Sequence, residues 1–377
     1  MKKLTKLVAT AAATAFLAAA GAAVAEQRVT ITSWTSPKHP TSKAHQDFAD
    51  LTEAQYPDAF DFKVFNGGAL LGAKPTLSGL RDGVADMGIL AFTYFKAELP
   101  YAQMVADMAL LGDDEYVMGA ATTEFFMLAC EPCKESFAKN GIVLLGGLST
   151  APYVLLSKEP ITELSQLSGL TVRTAGSAWD RWAAEVDIKA VSVPSSEIYD
   201  GLSHGVVEAA VQPIGALKSH SLIEVAKHMT TLPLGTYHSG GNYIAGVGFW
   251  NGLSSEQREQ LTANLALGLA KTVFHYADAD RQVLEEAAGL GLVVHEPSAE
   301  MLEQITAFRT ADLAEIAKIA KEKHGIADAD ALLATYSGLI EKWKGLVAPI
   351  NGDVDAYAAL LQQEIYSKID FDTYPNN

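Results

Sequence analysis

The sequence is short of cysteine, of basic residues and of long apolar runs, and each shortage excludes a class of protein. Only two cysteines occur in 377 residues, in Cys130-Glu131-Pro132-Cys133. A structural zinc site needs four ligands, and no second C-x-x-C or H-x3-H pair is present, so no metal is expected. The pair follows a stretch read as helix (116–129), unlike the short βαβ setting of a thioredoxin-like centre. A local disulfide between Cys130 and Cys133 is the expectation; free thiols and redox chemistry are the alternatives the residues leave. Lys and Arg number 28 against 45 acids, a formal charge of −17. No basic cluster lies beyond the N-terminus, which argues against nucleic acid as a partner. After residue 25 no run of 18 apolar residues occurs, so no membrane span is expected. The signatures G-x-S-x-G, Walker A, G-x-G-x-x-G before a helix and H-E-x-x-H are all missing. The nine histidines are scattered, and no spacing of acids marks a glycosidase pair. The expectation is a protein that is not an enzyme and carries no cofactor.

What is present suits a folded, exported chain. Hydrophobic residues make up 49% and charged ones 19%, with a mean hydropathy of +0.11, which rules out a mostly disordered protein. Residues 1–25 begin with Lys2, Lys3 and Lys6, continue as a small-residue apolar run and end in Ala23-Val24-Ala25. That is the pattern of a secretory signal peptide cleaved after Ala25, and no lipobox cysteine ends it. Its removal takes away three lysines and no acid, moving the formal charge from −17 to −20. The expected location is the periplasm. So acidic a chain repels anions at long range, so any anion it binds must be held by local groups.

The remaining chain, about 350 residues, suits two domains. Strands at Val29–Trp34, Phe60–Phe65 and Met87–Ala91 alternate with helices at Ser42–Tyr56 and Ala73–Arg81. The second half repeats the alternation with strands at Thr171–Thr174, Ala190–Val193 and Ala209–Gln212 and helices at Trp179–Val186 and Ser195–Leu202. This βαβ order predicts α/β domains. Two ten-residue segments, Leu80–Ile89 and Leu202–Val211, share the form L-x-x-G-V-x-acid-x-x-apolar and strengthen a paired architecture. The last third is helical: long periodic stretches run from Ser254 through Phe274 to Gly289 and over Ser298–Lys323, before a mostly polar tail, Tyr366–Asn377.

The informative stretch is Leu164–Pro213. Arg173 ends the buried strand Leu170–Arg173, where the chain enters Thr174-Ala175-Gly176. Ligands of α/β sheets sit beyond the carboxyl ends of strands, and a guanidinium there can hold a carboxylate by two parallel bonds; by the residues alone, a surface Arg paired with an acid is equally open. Gln212 ends another buried strand, just before Pro213. Strand-end aromatics can wall a pocket. Trp34, Phe92, Tyr94, Tyr153 and Trp179 are the candidates, with Tyr237, His238 and Asn242 in a glycine-rich crossing between domains. Asp180 and Arg181 read as a solvated helix start.

The order D/S-L-x-G-L-x-[VI]-R, then P-x-x-E-x-Y-x-x-L-x-x-G-V-V-[DE]-x-x-x-x-P, resembles the DctP-type solute-binding proteins of tripartite ATP-independent periplasmic (TRAP) transporters. Leu80–Gly88 and Phe249–Arg258 extend the likeness over most of the chain. The resemblance implies a periplasmic-binding-protein type II-like α/β fold: two domains, a ligand cleft between them, and a long helix spanning both, supplied by Ser298–Lys323 or Leu261–Glu286. It sets domain I at 26–150 plus about 239–278, domain II at 151–238 plus about 279–330, and a C-terminal helical segment and tail at 331–377. The chain would cross near 148–152 and 236–242. It implies that Arg173 clamps the carboxylate of a small organic acid. Gln212 stands where similar receptors commonly have Asn, one methylene shorter. Tyr153 stands where many relatives carry a second Arg, which disfavours a doubly clamped ligand. The implied partners are that ligand and the small and large membrane subunits of a TRAP permease, with the receptor itself a monomer. A receptor for an ATP-driven importer would share the fold, and a secreted hydrolase with a carboxylate pair is the remaining class.

Overall fold

The computed structural model describes residues 26–350 and 352–375; the segment read as a signal peptide lies outside them. Strands β1 (Gln27–Thr32), β2 (Phe60–Phe65), β3 (Met87–Ala91) and β4 (Ile142–Gly147) precede the first crossing between lobes. After it come β5 (Tyr153–Ser157), β6 (Thr171–Thr174), β7 (Lys189–Ser192), β8 (Ala209–Pro213) and β9 (His228–Thr230). A second crossing leads to β10 (Gly240–Gly246), and β11 (Val293–His295) follows.

Two sheets result, ordered β2-β1-β3-β10-β4 and β11-β9-β5-β8-β6-β7. Each contains three parallel strands, β2-β1-β3 or β7-β6-β8. Each then receives an antiparallel strand from the chain as it arrives from the other lobe, β10 in the first and β5 in the second. The crossing segments lie side by side, joined by Thr150 N–H to the Tyr237 carbonyl, Tyr153 N–H to the Gly235 carbonyl, and a Pro152–Thr236 bridge. Residues β3, β4, β5, β8 and β10 are buried along their whole length, the pattern of sheets covered on both faces.

The repeated ten-residue segment has one job in both lobes. Gly83 (φ +73°) and Gly205 (φ +70°) follow the helices Thr76–Arg81 and Ile198–Ser203 in the left-handed region that only glycine enters cheaply. Val84 and Val206 N–H then bond back to the carbonyls of Gly79 and Gly201. Asp86 accepts the Thr30 N–H at 2.7 Å, and Glu208 accepts the Thr171 N–H at 2.9 Å. Each acid thereby ties the entry of one central strand to its parallel neighbour.

Either of two helices was expected to span the lobes; both do. Leu265–Leu290 buries Leu265, Leu269 and Val273 in the first core and Val283 against the outer face of the second sheet. Ala299–Glu322 buries Met301 and Ile305 in the second lobe and Ile316 and Ala320 against the first. The helical stretch expected from Ser254 to Gly289 is broken at Ala263-Asn264, after Ser255–Thr262.

One expectation is corrected here. Arg181 is not solvated. Its Nη1 lies 2.9 Å from Asp107 Oδ1, and its Nε and Nη2 lie 2.6 and 2.7 Å from the Asp312 carboxylate, which ties the helix Ser177–Glu185 of the second lobe to the first. Local sequence shows only a polar helix start; both acids are remote in the chain. The mostly polar tail packs against the first lobe. Tyr366 and Tyr374 are buried, their hydroxyls donating to the carbonyls of Leu145 and Leu144, while Trp250 Nε1 donates to the Tyr374 carbonyl. Cys130 and Cys133 are joined in a disulfide at the start of the helix Glu131–Lys139.

Deleting residues 366–377 removes two buried aromatic side chains from the first core. We expect a loss of roughly 5 kcal/mol and a fall in Tm of about 5–10 °C by calorimetry; an unchanged Tm would show that the tail contributes no packing.

Candidate ligand-binding site

The carboxyl ends of β1, β3, β6 and β8 face one another across a cavity with about 620 Å³ of empty space, open mouth included. Arg173 sits at its floor with only 2% of its surface exposed. The register of β6 with β7 and β8 brings two neighbouring carbonyls to it. Val193 O accepts from Nε and Nη2 at 3.1 and 2.9 Å, and Val211 O from Nη1 at 3.4 Å. No carboxylate pairs with this guanidinium among the described residues. A buried cation without a counter-charge is costly, so the floor of the cavity is arranged for an anion. Gln212, 3% exposed, lies beside it on β8, and its Nε2 has no partner among the described residues.

The walls are aromatic. Tyr153 stacks on Trp179 at 5.1 Å between centroids, and Trp179 on Tyr237 at 6.4 Å. Trp34 meets Tyr94 at 5.8 Å. Tyr276, from the spanning helix Leu265–Leu290, meets His39 at 5.6 Å. Among the described residues, Arg173 is the sole lining residue with a formal charge. His39 and His220 also line the cavity and are held neutral. Burial, then His220 and Lys43, push His39 well below the usual histidine range. Burial, then Arg173, pull His220 down to about 4. The lobes touch at the mouth, where the Ser36 hydroxyl donates to the Ser219 carbonyl at 2.9 Å and Ser195 N–H to the Tyr94 hydroxyl at 3.1 Å.

Residues 31–322, most of the chain, match the family described as bacterial extracellular solute-binding protein, family 7 (DctP). The chain belongs to this family. Its members are receptors rather than enzymes. The chain is 26% identical over 192 residues to a solute-binding protein of Albidiferax ferrireducens, covering 51% of this chain and 56% of that one. It therefore spans little more than half the length of that relative. It is also 26% identical over 247 residues to the C4-dicarboxylate-binding periplasmic protein DctP of Rhodobacter capsulatus, covering 61% and 68%. A TRAP solute-binding protein from Rhodoferax ferrireducens, solved with copurified benzoate, superposes with a TM-score of 0.76 at 16% identity, covering 85% of this chain and 99% of that one. At that identity the likeness establishes the two-domain fold.

Of the residues singled out by sequence, the fold brings Trp34, Tyr94, Tyr153, Arg173, Gln212 and Tyr237 to one cavity. Four others lie elsewhere. Phe92 follows Ala91, which lines the cavity, and so points the opposite way, packing on Phe126 and Phe137 at 5.8 and 5.2 Å. Trp179 stands behind Tyr153 and Tyr237, fully buried, with its Nε1 donating to the Leu234 carbonyl at 2.8 Å. Asn242 is a fully buried link from β10 to the Thr272 hydroxyl at 3.0 Å. His238 likewise turns inward, its Nδ1 3.0 Å from Thr236 Oγ1. Sequence reasoning missed His39, Ser195, His220 and Tyr276. His39 had a signal, since it lies five residues past the strand-end Trp34, in Pro37-Lys38-His39-Pro40. Tyr276 had none, because a mid-helix aromatic reads as core.

A ring that stays neutral in the fold loses stability in acid: between about pH 6.5 and 4 the unfolded chain takes up a proton that the folded chain refuses. Glu115 and Asp280, both pushed up to about 7 by burial, act in the opposite sense, so the contribution of one ring is read as a difference. The gap in urea-unfolding free energy between His220→Gln and the parent should shift by about 2 kcal/mol in the variant's favour from pH 7.5 to pH 5. A constant gap would mean that His220 is protonated normally.

Proposed function

We propose that this protein is the periplasmic receptor of a TRAP transporter, released from its signal peptide after Ala25, and that it delivers a small monocarboxylate to the membrane subunits of the permease. One observation carries the reading: a buried arginine that lines the cavity without an acidic partner among the described residues. The open lobes admit the acid, Arg173 takes the carboxylate on the fork left free by the Val193 and Val211 carbonyls, and closure excludes water. Lower local polarity strengthens the pair, and a ligand touching both lobes favours the closed form only through the contacts it gains there. The acidic surface does not defeat this, because charges beyond about 8 Å are screened at physiological salt.

The number of charges on the ligand follows from the lining. With one cation and no second arginine, the far carboxylate of a dicarboxylate would be desolvated without a partner, so the ligand named for the Rhodobacter capsulatus relative fits poorly. The aromatic walls suit a ring or a short apolar body, as in the benzoate found with the structural neighbour.

A calorimetric titration series of ring-bearing monocarboxylates tests this. Arg173→Ala should weaken binding of any acid the parent holds by at least about 30-fold, the low end of truncating a buried charge pair. Arg173→Lys should recover only part of it, because an ammonium cannot offer the fork. Unchanged affinity in Arg173→Ala would remove the carboxylate clamp.

A further inference from the structure

Two neutral histidines, one from each lobe, meet in the cavity wall, and the clamp at Arg173 gives them nothing to do. His39 caps the helix Pro40–Gln55 of the first lobe. Its Nδ1 accepts the Thr41 N–H at 3.4 Å and lies 2.7 Å from the Thr41 hydroxyl. A neutral imidazole with Nδ1 as acceptor carries its proton on Nε2, and His39 Nε2 has no partner among the described residues. His220 comes from the second lobe, at the C-terminal end of the short helix Ala216–Ser219 that follows β8. Its Nε2 lies 3.2 Å from Ser195 Oγ and its Nδ1 3.1 Å from Ser219 Oγ. The two rings meet edge to face at 5.0 Å, in the same cavity as Arg173.

We propose that His39 and the Ser195–His220 pair form a second recognition point, which binds an uncharged oxygen on the body of the ligand while Arg173 holds its carboxylate. The proposal rests on the receptor reading above. His39 Nε2–H donates to any oxygen. The Ser195 hydroxyl donates or accepts, because His220 between two serines can hold its proton on either nitrogen. A ligand hydroxyl therefore accepts from His39 and donates to Ser195, and a carbonyl accepts from both. A second carboxylate would meet no cation here, and an ammonium would meet the proton of His39 with no carboxylate in the lining to receive it. The class selected is a monocarboxylate whose ring or short apolar body carries a hydroxyl or oxo group. Because the donors belong to opposite lobes, an oxygen bonded to both is held only while the lobes are together, so the substituent is read as closure. Discrimination of this kind is strong, since an analogue lacking the oxygen leaves buried polar groups unpaired.

The test compares matched acids by calorimetric titration of the chain from residue 26: benzoate against each hydroxybenzoate, phenylacetate against mandelate, cyclopentanecarboxylate against pyroglutamate. In the parent, the oxygen-bearing member of at least one pair should bind at least about tenfold tighter. His39→Asn, which keeps a helix-capping side chain but cannot reach as far, and Ser195→Ala should each bring that ratio towards one. Arg173→Ala should weaken both members of every pair. Arg173-dependent binding with a ratio near one in all pairs, or a ratio that survives both variants, overturns this inference and leaves the receptor reading intact. Absence of binding by every acid, or binding indifferent to Arg173→Ala, overturns the receptor reading and this one with it.

Discussion

The structure turns on a guanidinium that the fold buries and does not neutralise. Other cations withdrawn from water have their acids: the partly buried Arg181 has Asp107 and Asp312, and the buried Lys134 has Glu131. Among the described residues, the guanidinium of Arg173 has only two backbone carbonyls, which fix the direction of its fork without cancelling its charge. That difference separates an arginine that holds the protein together from one that waits for an anion. Charge desolvated in this way is tolerable only if the surroundings are rigid and other interactions supply the stability.

Rigidity comes from the exchange of strands between lobes. Each sheet is completed by a strand that has just left the other lobe, so neither core closes without both crossings. The two crossings lie side by side, while two long helices bridge the lobes. The Arg181 network sits between Asp107 of the first lobe and the helix that begins three residues beyond Thr174, at Ser177. Arg173 is therefore tied to the opposite lobe through a short path.

The cavity divides its labour by charge. One pole holds a fixed positive charge. The walls are rings of low polarity, and the remaining hydrogen-bonding groups are kept uncharged by burial, His39 and His220 among them. A formal charge of −17 on the chain leaves this arrangement untouched, since it acts over distances that salt screens. Recognition is a matter of a few groups within hydrogen-bonding reach.

Much of this was legible in the sequence because it depends on residues close together along the chain. The alternation of strands and helices, the paired L-x-x-G-V-x-acid segments and the strand-end position of Arg173 are local patterns, and the lobes they build follow from covering sheets on both faces. The direction of Phe92 turned on one step of alternation past a strand end, which no composition reveals. The burial of Tyr366 and Tyr374 came from carbonyls of β4 more than 200 residues away, and the partners of Arg181 were equally remote. His39, His220 and Tyr276 meet at the cavity only because the lobes face each other. The sequence by itself determined which residues could carry a charge or a ring to a strand end; tertiary structure alone decided which of them share a cavity, because burial, pairing and opposition across a cleft are relations between distant segments.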